Sequence, residues 1–131
     1  MTAPAARGAL TSHVLDTALG QPARDVTIRL EVRTTGPGTG GAPAGASEAG
    51  WTMVAERTTD ADGRVRDLLA GRALEACTYR LTFETGAYFR AASRPVFYPR
   101  VQVEVEVTSP TDHHHIPLLL SPFGYSTYRG N

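Results

Sequence analysis

Hydrophobic and polar residues alternate strictly in three segments of the chain, at residues 26–33, 79–84 and 101–107. The third segment, VQVEVEV, is the clearest, because valine occupies every odd position and Gln or Glu every even one. A period of two places all the apolar side chains on one face of an extended strand. Each segment therefore predicts a β-strand with one face in a core and the other in water.

Weaker alternation predicts further strands elsewhere in the chain. They are expected at residues 10–15, 52–58, 65–68, 116–120 and 124–128. Only GAYFRAASR, at residues 86–94, has the pattern of a short helix, and Pro95 is expected to end it. Many short strands with one short helix predict an all-β fold, an antiparallel β-sandwich, formed by a single domain over residues 1–131.

Two connecting segments have compositions of their own. Residues 34–50, TTGPGTGGAPAGASEAG, consist mostly of Gly, Ala and Pro, which cannot bury an apolar face, so they predict a long flexible hairpin loop. Residues 60–64, DADGR, predict a tight turn in which Gly63 adopts a positive φ. The carboxylates of Asp60 and Asp62 resemble the start of a calcium-binding EF-hand loop. However, the twelfth residue of such a loop must be glutamate and helices must flank it, and neither is present here, so an EF-hand is excluded.

Charge and cysteine content narrow the possible partners. The 13 basic and 13 acidic residues cancel and form no long block of one sign, which argues against a nucleic acid or an anionic membrane as the main partner. Cys77 is the single cysteine, so an intramolecular disulfide is impossible. Because no apolar run is typical of a signal peptide or a membrane span, we expect a cytoplasmic protein.

The histidines are the first candidates for chemistry. On strand 10–15, His13 shares a face with Thr11 and Leu15, opposite the apolar face. In the run His113–His115, the outer two histidines would point one way and His114 the other, so at most two can converge. A metal site would need His13 or a carboxylate in addition, and no Cys/His spacing here matches a zinc pattern, so no metal is predicted.

The local sequence does not assign roles to the arginines after the turn or to the tyrosines of the tail. Arg64 and Arg66 would share one face after the Asp-Gly turn, and nothing local distinguishes a functional arginine from a solvated one. Tyr125 and Tyr128 would fall on opposite faces of an extended tail. On these grounds the chain is a β-sandwich with several histidines on an exposed face, and its substrate is not determined.

Three stretches, in order and spanning Leu10 to Gly130, carry a family resemblance: LTSHVLDTALGQPA, TDADGR and HIPLLLSPFGYSTYRG. Together they resemble the transthyretin-related family, and within it most closely the branch that hydrolyses 5-hydroxyisourate. The polar residues typical of that branch are present as His13, Arg64, His115 and the tripeptide Tyr128–Gly130. Asn131 stands where the family usually has serine, and Phe123 where tyrosine is common.

The resemblance implies a fold and an assembly. The family folds as a sandwich of two four-stranded sheets with one short helix, and it assembles as a homotetramer. Its sites lie in a channel at the dimer–dimer interface, where residues of neighbouring subunits complete each site. The C-terminal tail is then expected to form one wall of an active site.

The resemblance also implies an activity, the hydrolysis of 5-hydroxyisourate to 2-oxo-4-hydroxy-4-carboxy-5-ureidoimidazoline in urate degradation. His13 and His115 are expected to act as the acid–base pair that activates water, and Arg64 to hold the substrate and stabilise the oxyanion. His13 and Tyr128 are expected to contact the substrate with help from Ser126, without a cofactor. Three alternatives remain: a transthyretin-like carrier of small ligands without catalysis, a metal-binding protein, and a structural β-sandwich.

Overall fold

A computed structural model of the chain describes residues 8–33, 46–48 and 50–131, and for 46–48 only the course of the backbone. Within these ranges it contains ten strands and one helix. The strands are β1 Leu10–Asp16, β2 Gln21–Pro22, β3 Thr27–Arg33, β4 Ala46–Glu48, β5 Trp51–Thr58, β6 Arg64–Val65, β7 Thr78–Phe83, β8 Val101–Glu106, β9 His114–Ser121 and β10 Gly124–Thr127. The helix, α1, is Thr85–Ala91. No helix in the described part of the chain is long and apolar enough to cross a bilayer.

The strands form two sheets, which confirms the all-β prediction. One sheet has the order β10-β9-β1-β2, with β6 also paired to β1, and the other has the order β4-β5-β3-β7-β8. Each sheet therefore has five strands rather than the four that the resemblance implied, since the short strands β2, β6 and β4 are added to the longer ones. The pairing is antiparallel except between β1 and β9, which run parallel. The predicted antiparallel sandwich thus has one departure at this pair, which no hairpin connects.

The predicted apolar faces meet between the two sheets. Eight fully buried side chains come from four strands: Leu10, Val14, Ile28, Leu30, Leu81, Phe83, Leu118 and Leu120. Burial of one such side chain stabilises the fold by about 2 kcal/mol before entropy is counted. Because these residues occupy alternate positions, the intervening residues of β1 and β9 face outwards.

The helix and the Gly/Pro-rich loop both differ from prediction in extent. The helix ends at Ala91 rather than Arg94, because Ser93 adopts a left-handed conformation (φ 56°) and the N–H of Arg94 donates to Phe89 O at 2.9 Å, as in a Schellman motif. Most of the predicted loop, residues 34–45 and 49, lies outside the described residues. For Ala46–Glu48 the loop prediction was wrong, because their backbone pairs with the edge of β5. Ladder hydrogen bonds need no apolar side chain.

The predicted turn at residues 60–64 is confirmed and ties β6 to β1. Asp60 Oδ1 accepts hydrogen bonds from the backbone N–H of Asp62 at 2.8 Å and of Arg64 at 3.0 Å. The Arg64 N–H contributes most to lowering the pKa of Asp60. Gly63, at φ 74°, accepts a 2.7 Å hydrogen bond from the N–H of Val14. The turn thereby presents Arg64 directly beside β1.

Substitution of Gly63 by alanine should destabilise the protein by about 2–3 kcal/mol, because a Cβ would combine left-handed strain with a clash. That Cβ would lie 2.5 Å from Val14 O. Gly20→Ala is the matched control, since Gly20 has a φ of 69° but no atom within 4 Å of the added Cβ. It should cost only about 1 kcal/mol of strain. Urea unfolding of both variants measures the difference, and equal losses would mean that the clash contributes nothing.

Candidate active site

Strand pairing brings together four polar residues that are distant in sequence. His13 on β1 lies opposite Arg64 on β6, and Thr11 on β1 lies opposite His115 on β9. Register partners in adjacent strands point to the same face of a sheet, with Cβ atoms about 5 Å apart. The four side chains therefore share the outer face of the first sheet, on the side away from the core.

A polar pocket of about 110 Å³ opens on this face. Its functional groups come from Thr11, Arg64, Arg66, His113, His115 and Asn131. Arg66 differs from Arg64 in that its guanidinium lies 3.7 Å from Asp60 and 3.4 Å from Asp62, so two carboxylates hold it at the rim. The structure thus separates the two arginines that the sequence could not distinguish.

The hydroxyl of Thr11 lies between two imidazole rings. Thr11 Oγ1 is 2.9 Å from His113 Nε2 and 2.7 Å from His115 Nδ1, and the residue is only 4% exposed. The two rings are nearly parallel, with centroids 6.2 Å apart. The sequence left His113 without a role, although the strand period already placed it on the face of His115.

His114 points in the opposite direction, as the strand period predicts. It is buried, and its Nδ1 lies 2.9 Å from the backbone oxygen of Asp112. Only His113 and His115 of the histidine run therefore reach the pocket. Among the described residues, no group of three His, Cys, Asp or Glu side chains is arranged to hold a metal ion.

The C-terminal tail returns to β9 and lies against His115. The N–H of Gly130 donates to His115 O at 2.7 Å, and the two residues form an isolated bridge. A Cβ on Gly130 would lie 2.5 Å from His115 Cδ2. Residue 130 must therefore lack a side chain for the tail to pack against the imidazole ring in this way.

His13 has a lowered pKa. Burial is the largest cause, and the positive charge of Arg64 adds to it; the Asp62 backbone and the carboxylates of Asp60 and Asp62 act in the opposite direction with smaller effect. Because the pKa falls below 6.5, the His13 imidazole is neutral at neutral pH. A neutral imidazole has a lone pair with which it can accept a proton.

The other two residues implied by the resemblance lie outside this pocket. Ser126 pairs with Leu119 and is exposed on the outer face of the same sheet, beside a separate depression. Strand β10 ends at Thr127, so Tyr128 no longer follows its alternation. Tyr128 lines a cleft of about 350 Å³ between β8 and β9, together with Val103, His114 and Ile116. Within one chain, the structure brings Arg64 and His115 together beside His13, but not Ser126 or Tyr128.

Two packed sheets with imidazole and guanidinium groups in a pocket on one outer face define a β-sandwich protein with a polar surface site. The HIUase/Transthyretin family model matches residues 10–130. The chain therefore belongs to the HIUase/Transthyretin family.

Individual relatives agree with this assignment. The chain is 36% identical over 131 residues to a 5-hydroxyisourate hydrolase of Salmonella dublin, covering 100% of this chain and 87% of that protein. The structure of Klebsiella pneumoniae 5-hydroxyisourate hydrolase is similar with a TM-score of 0.73 at 34% identity, covering 93% of this chain and 97% of that one. The structure of sea bream transthyretin in complex with thyroxine is similar with a TM-score of 0.76 at 29% identity, covering 92% of this chain and 93% of that one.

Proposed function

We propose that this protein hydrolyses 5-hydroxyisourate to 2-oxo-4-hydroxy-4-carboxy-5-ureidoimidazoline in urate degradation. The observation that carries the proposal is the placement of His13 opposite Arg64, with His115 in the same pocket as Arg64. The similarity to 5-hydroxyisourate hydrolases over the whole chain supports the same reaction. Opening the substrate ring requires a base for water, a cation for the oxyanion and a proton for the departing nitrogen.

His13 is assigned as the base. Its lowered pKa keeps the imidazole neutral, so it can take a proton from water as the oxygen adds to the ring carbonyl. Arg64, opposite His13, stabilises the negative charge that develops on the carbonyl oxygen, and it holds the anionic ring of the substrate. His115 completes the acid–base pair by donating a hydrogen bond to the departing nitrogen. The proton that His13 took from water passes to that nitrogen as the ring bond breaks, so both imidazoles end the reaction neutral.

The pH dependence of kcat/KM should reflect the His13 pKa. A lowered pKa means that the proton leaves at lower pH, so the acidic limb should have its midpoint below 6.5. The Arg64→Gln substitution removes one cause of the lowered His13 pKa. The acidic limb of the variant's pH–rate profile should therefore move to higher pH. Stopped-flow rates across the acidic range measure both midpoints. A limb at or above 6.5 in the wild type would remove His13 from the role of base.

We further propose that the active enzyme is a homotetramer in the cytoplasm, with Tyr128 and Ser126 contacting the substrate of a site shared between subunits. Strands β8 and β10 each end the order of their sheet, and the cleft between β8 and β9 is lined by Val103, Val105 and Tyr128. Edge strands with apolar side chains are suited to pairing with a second copy. Light scattering should give four times the 14.0 kDa mass of one chain, whereas a single-chain mass at all concentrations would contradict the tetramer.

The direct test generates 5-hydroxyisourate from urate with urate oxidase and follows its ultraviolet absorbance with and without this protein, in the presence of a chelator. Accelerated decay is expected. Decay at the spontaneous rate would reject the hydrolase.

The likeness to the thyroxine-bound sea bream protein supports a second candidate, a carrier of small ligands. An apolar ligand in the pocket would desolvate Arg64 and two imidazoles without supplying them with hydrogen bonds, which is unfavourable. The hydrolase is therefore preferred. Calorimetric titration with thyroxine separates the two, because the carrier predicts binding in the absence of any hydrolytic activity.

A further inference from the structure

Thr11 is the only pocket residue whose side chain bridges two imidazoles in the described part of the structure. A threonine hydroxyl has one hydrogen, so it can donate to one ring nitrogen and must accept from the other. The protonation of His113 Nε2 and that of His115 Nδ1 are therefore linked through Thr11 Oγ1.

The two distances fit one of the two possible directions of donation. O–H donors typically give shorter hydrogen bonds than N–H donors, about 2.7–2.8 Å against about 2.9–3.0 Å. The separation of 2.7 Å from Thr11 Oγ1 to His115 Nδ1 fits donation by the hydroxyl, and the 2.9 Å separation from His113 Nε2 fits donation by the ring N–H. In this arrangement Nδ1 of His115 is an acceptor, so the proton of the neutral ring is on Nε2.

We propose that Thr11 is a positioning residue that sets the tautomer of His115, with His113 holding the Thr11 hydroxyl in the required orientation. His115 then presents an Nε2–H group, which donates a hydrogen bond to the departing nitrogen of the substrate, while His13 accepts the proton of water. This division of roles rests on the proposed function. It explains why a buried hydroxyl lies at a position of β1 that faces away from the core.

The tautomer of His115 matters because of what surrounds it. Arg64 lines the pocket with the two imidazoles, and His13 lies on the same face, two residues further along β1 than Thr11. A neutral imidazole has a single N–H, so its tautomer decides which ring nitrogen can donate a hydrogen bond to a substrate in this pocket.

Thr11→Val tests the proposal, because valine keeps the shape of threonine and loses the hydroxyl. Loss of a group that orients a functional imidazole typically costs 10- to 100-fold, so kcat should fall by about that factor while KM changes little. Thr11→Ser, which retains the hydroxyl, should restore most of kcat. Thr85→Val is the matched control, since the buried Thr85 Oγ1 donates to Tyr98 O at 2.9 Å at the start of α1, outside the pocket; its kcat should match that of the wild type. Wild-type kcat in Thr11→Val, or no rescue in Thr11→Ser, would overturn the role of the hydroxyl.

Nitrogen-15 NMR of the histidine rings tests the tautomer without an activity assay. In the wild type at about pH 8.5, well above the ordinary histidine pKa of about 6.5, His115 should show its proton on Nε2. Thr11→Val should shift His115 towards a mixture of tautomers. A wild-type spectrum with the proton on Nδ1 would overturn the proposal even if the variant failed to fold. If the wild type does not hydrolyse 5-hydroxyisourate, the proposed function fails, but the spectrum still decides the tautomer.

Discussion

Arg64→Gln should lower kcat/KM for 5-hydroxyisourate by about two to three orders of magnitude, the typical loss when one oxyanion donor is removed. Arg64 lies opposite His13 and lines the same pocket as His115, and its positive charge helps to lower the pKa of His13. The loss should appear mainly in kcat, because charge on the carbonyl oxygen develops in the transition state. Stopped-flow decay of enzymatically generated substrate is the measurement.

Arg66→Gln is the matched control for this substitution. It removes the same charge from the rim of the same pocket, but the Arg66 guanidinium is held by Asp60 and Asp62 and is more than half exposed. Its kcat/KM should fall by no more than a few-fold, as expected for a solvent-screened charge. Equal losses in the two variants would mean that the pocket needs only positive charge, and the specific role of Arg64 would be wrong. Circular dichroism should show both variants folded, because the turn is held by the Arg64 backbone N–H.

Asp16→Ala should cost about 3–5 kcal/mol of folding free energy, the typical loss when one partner is removed from a buried ion pair. The Asp16 carboxylate is fully buried at the end of β1. Its Oδ2 accepts hydrogen bonds from Tyr88 Oη at 2.7 Å and Arg94 Nη1 at 2.6 Å, and its Oδ1 accepts from the backbone N–H of Leu19 at 3.1 Å. The carboxylate therefore joins α1 and the segment after it to the sheet that carries the pocket.

Urea unfolding at a fixed protein concentration measures this loss, since assembly would make stability depend on concentration. Asp62→Ala is the control, because its carboxylate is 73% exposed and its ion pair is with Arg66, whose side chain is also mostly exposed. It should change stability by less than about 0.5 kcal/mol. A comparable cost in both variants would show that burial of the Asp16 network contributes nothing.

The same network predicts how stability depends on pH. Burial alone would raise the pKa of Asp16, but the hydrogen bonds from Arg94 and Tyr88 and from the Leu19 backbone together lower it below 3.8. The Tyr88 pKa is raised to about 12, first by burial and then by the bond to Asp16, so Tyr88 remains a donor. A lowered carboxyl pKa contributes stability above the pKa of the unfolded chain, about 3.9, and loses it as the pH falls through the folded value. The Asp16→Ala variant should lack this part of the acid transition.

The strands and their faces could be predicted from the sequence, because alternation is a property of the extended backbone at each residue. The period of two was enough to place His113 and His115 on one face and His114 on the other, and the structure confirms this. The Asp-Gly turn could be predicted equally well, since Asp60 closes it through hydrogen bonds to backbone N–H groups within four residues. The ends of helices and strands were harder to predict. Helix α1 ends at Ala91 rather than at the predicted Arg94, because Ser93 adopts a left-handed conformation.

The neighbours of each candidate residue were decided only by the tertiary structure. Thr11 and His115 are 104 residues apart and meet because β1 and β9 pair in parallel, a register set by the packing of the whole core. A strand was predicted at residues 65–68, but its pattern does not say that it pairs with β1 or that Arg64 lies opposite His13. Alternation by itself determined which face each side chain takes, because that depends on local backbone geometry. Which side chains meet on that face depends on long-range pairing, and no local pattern contains that information.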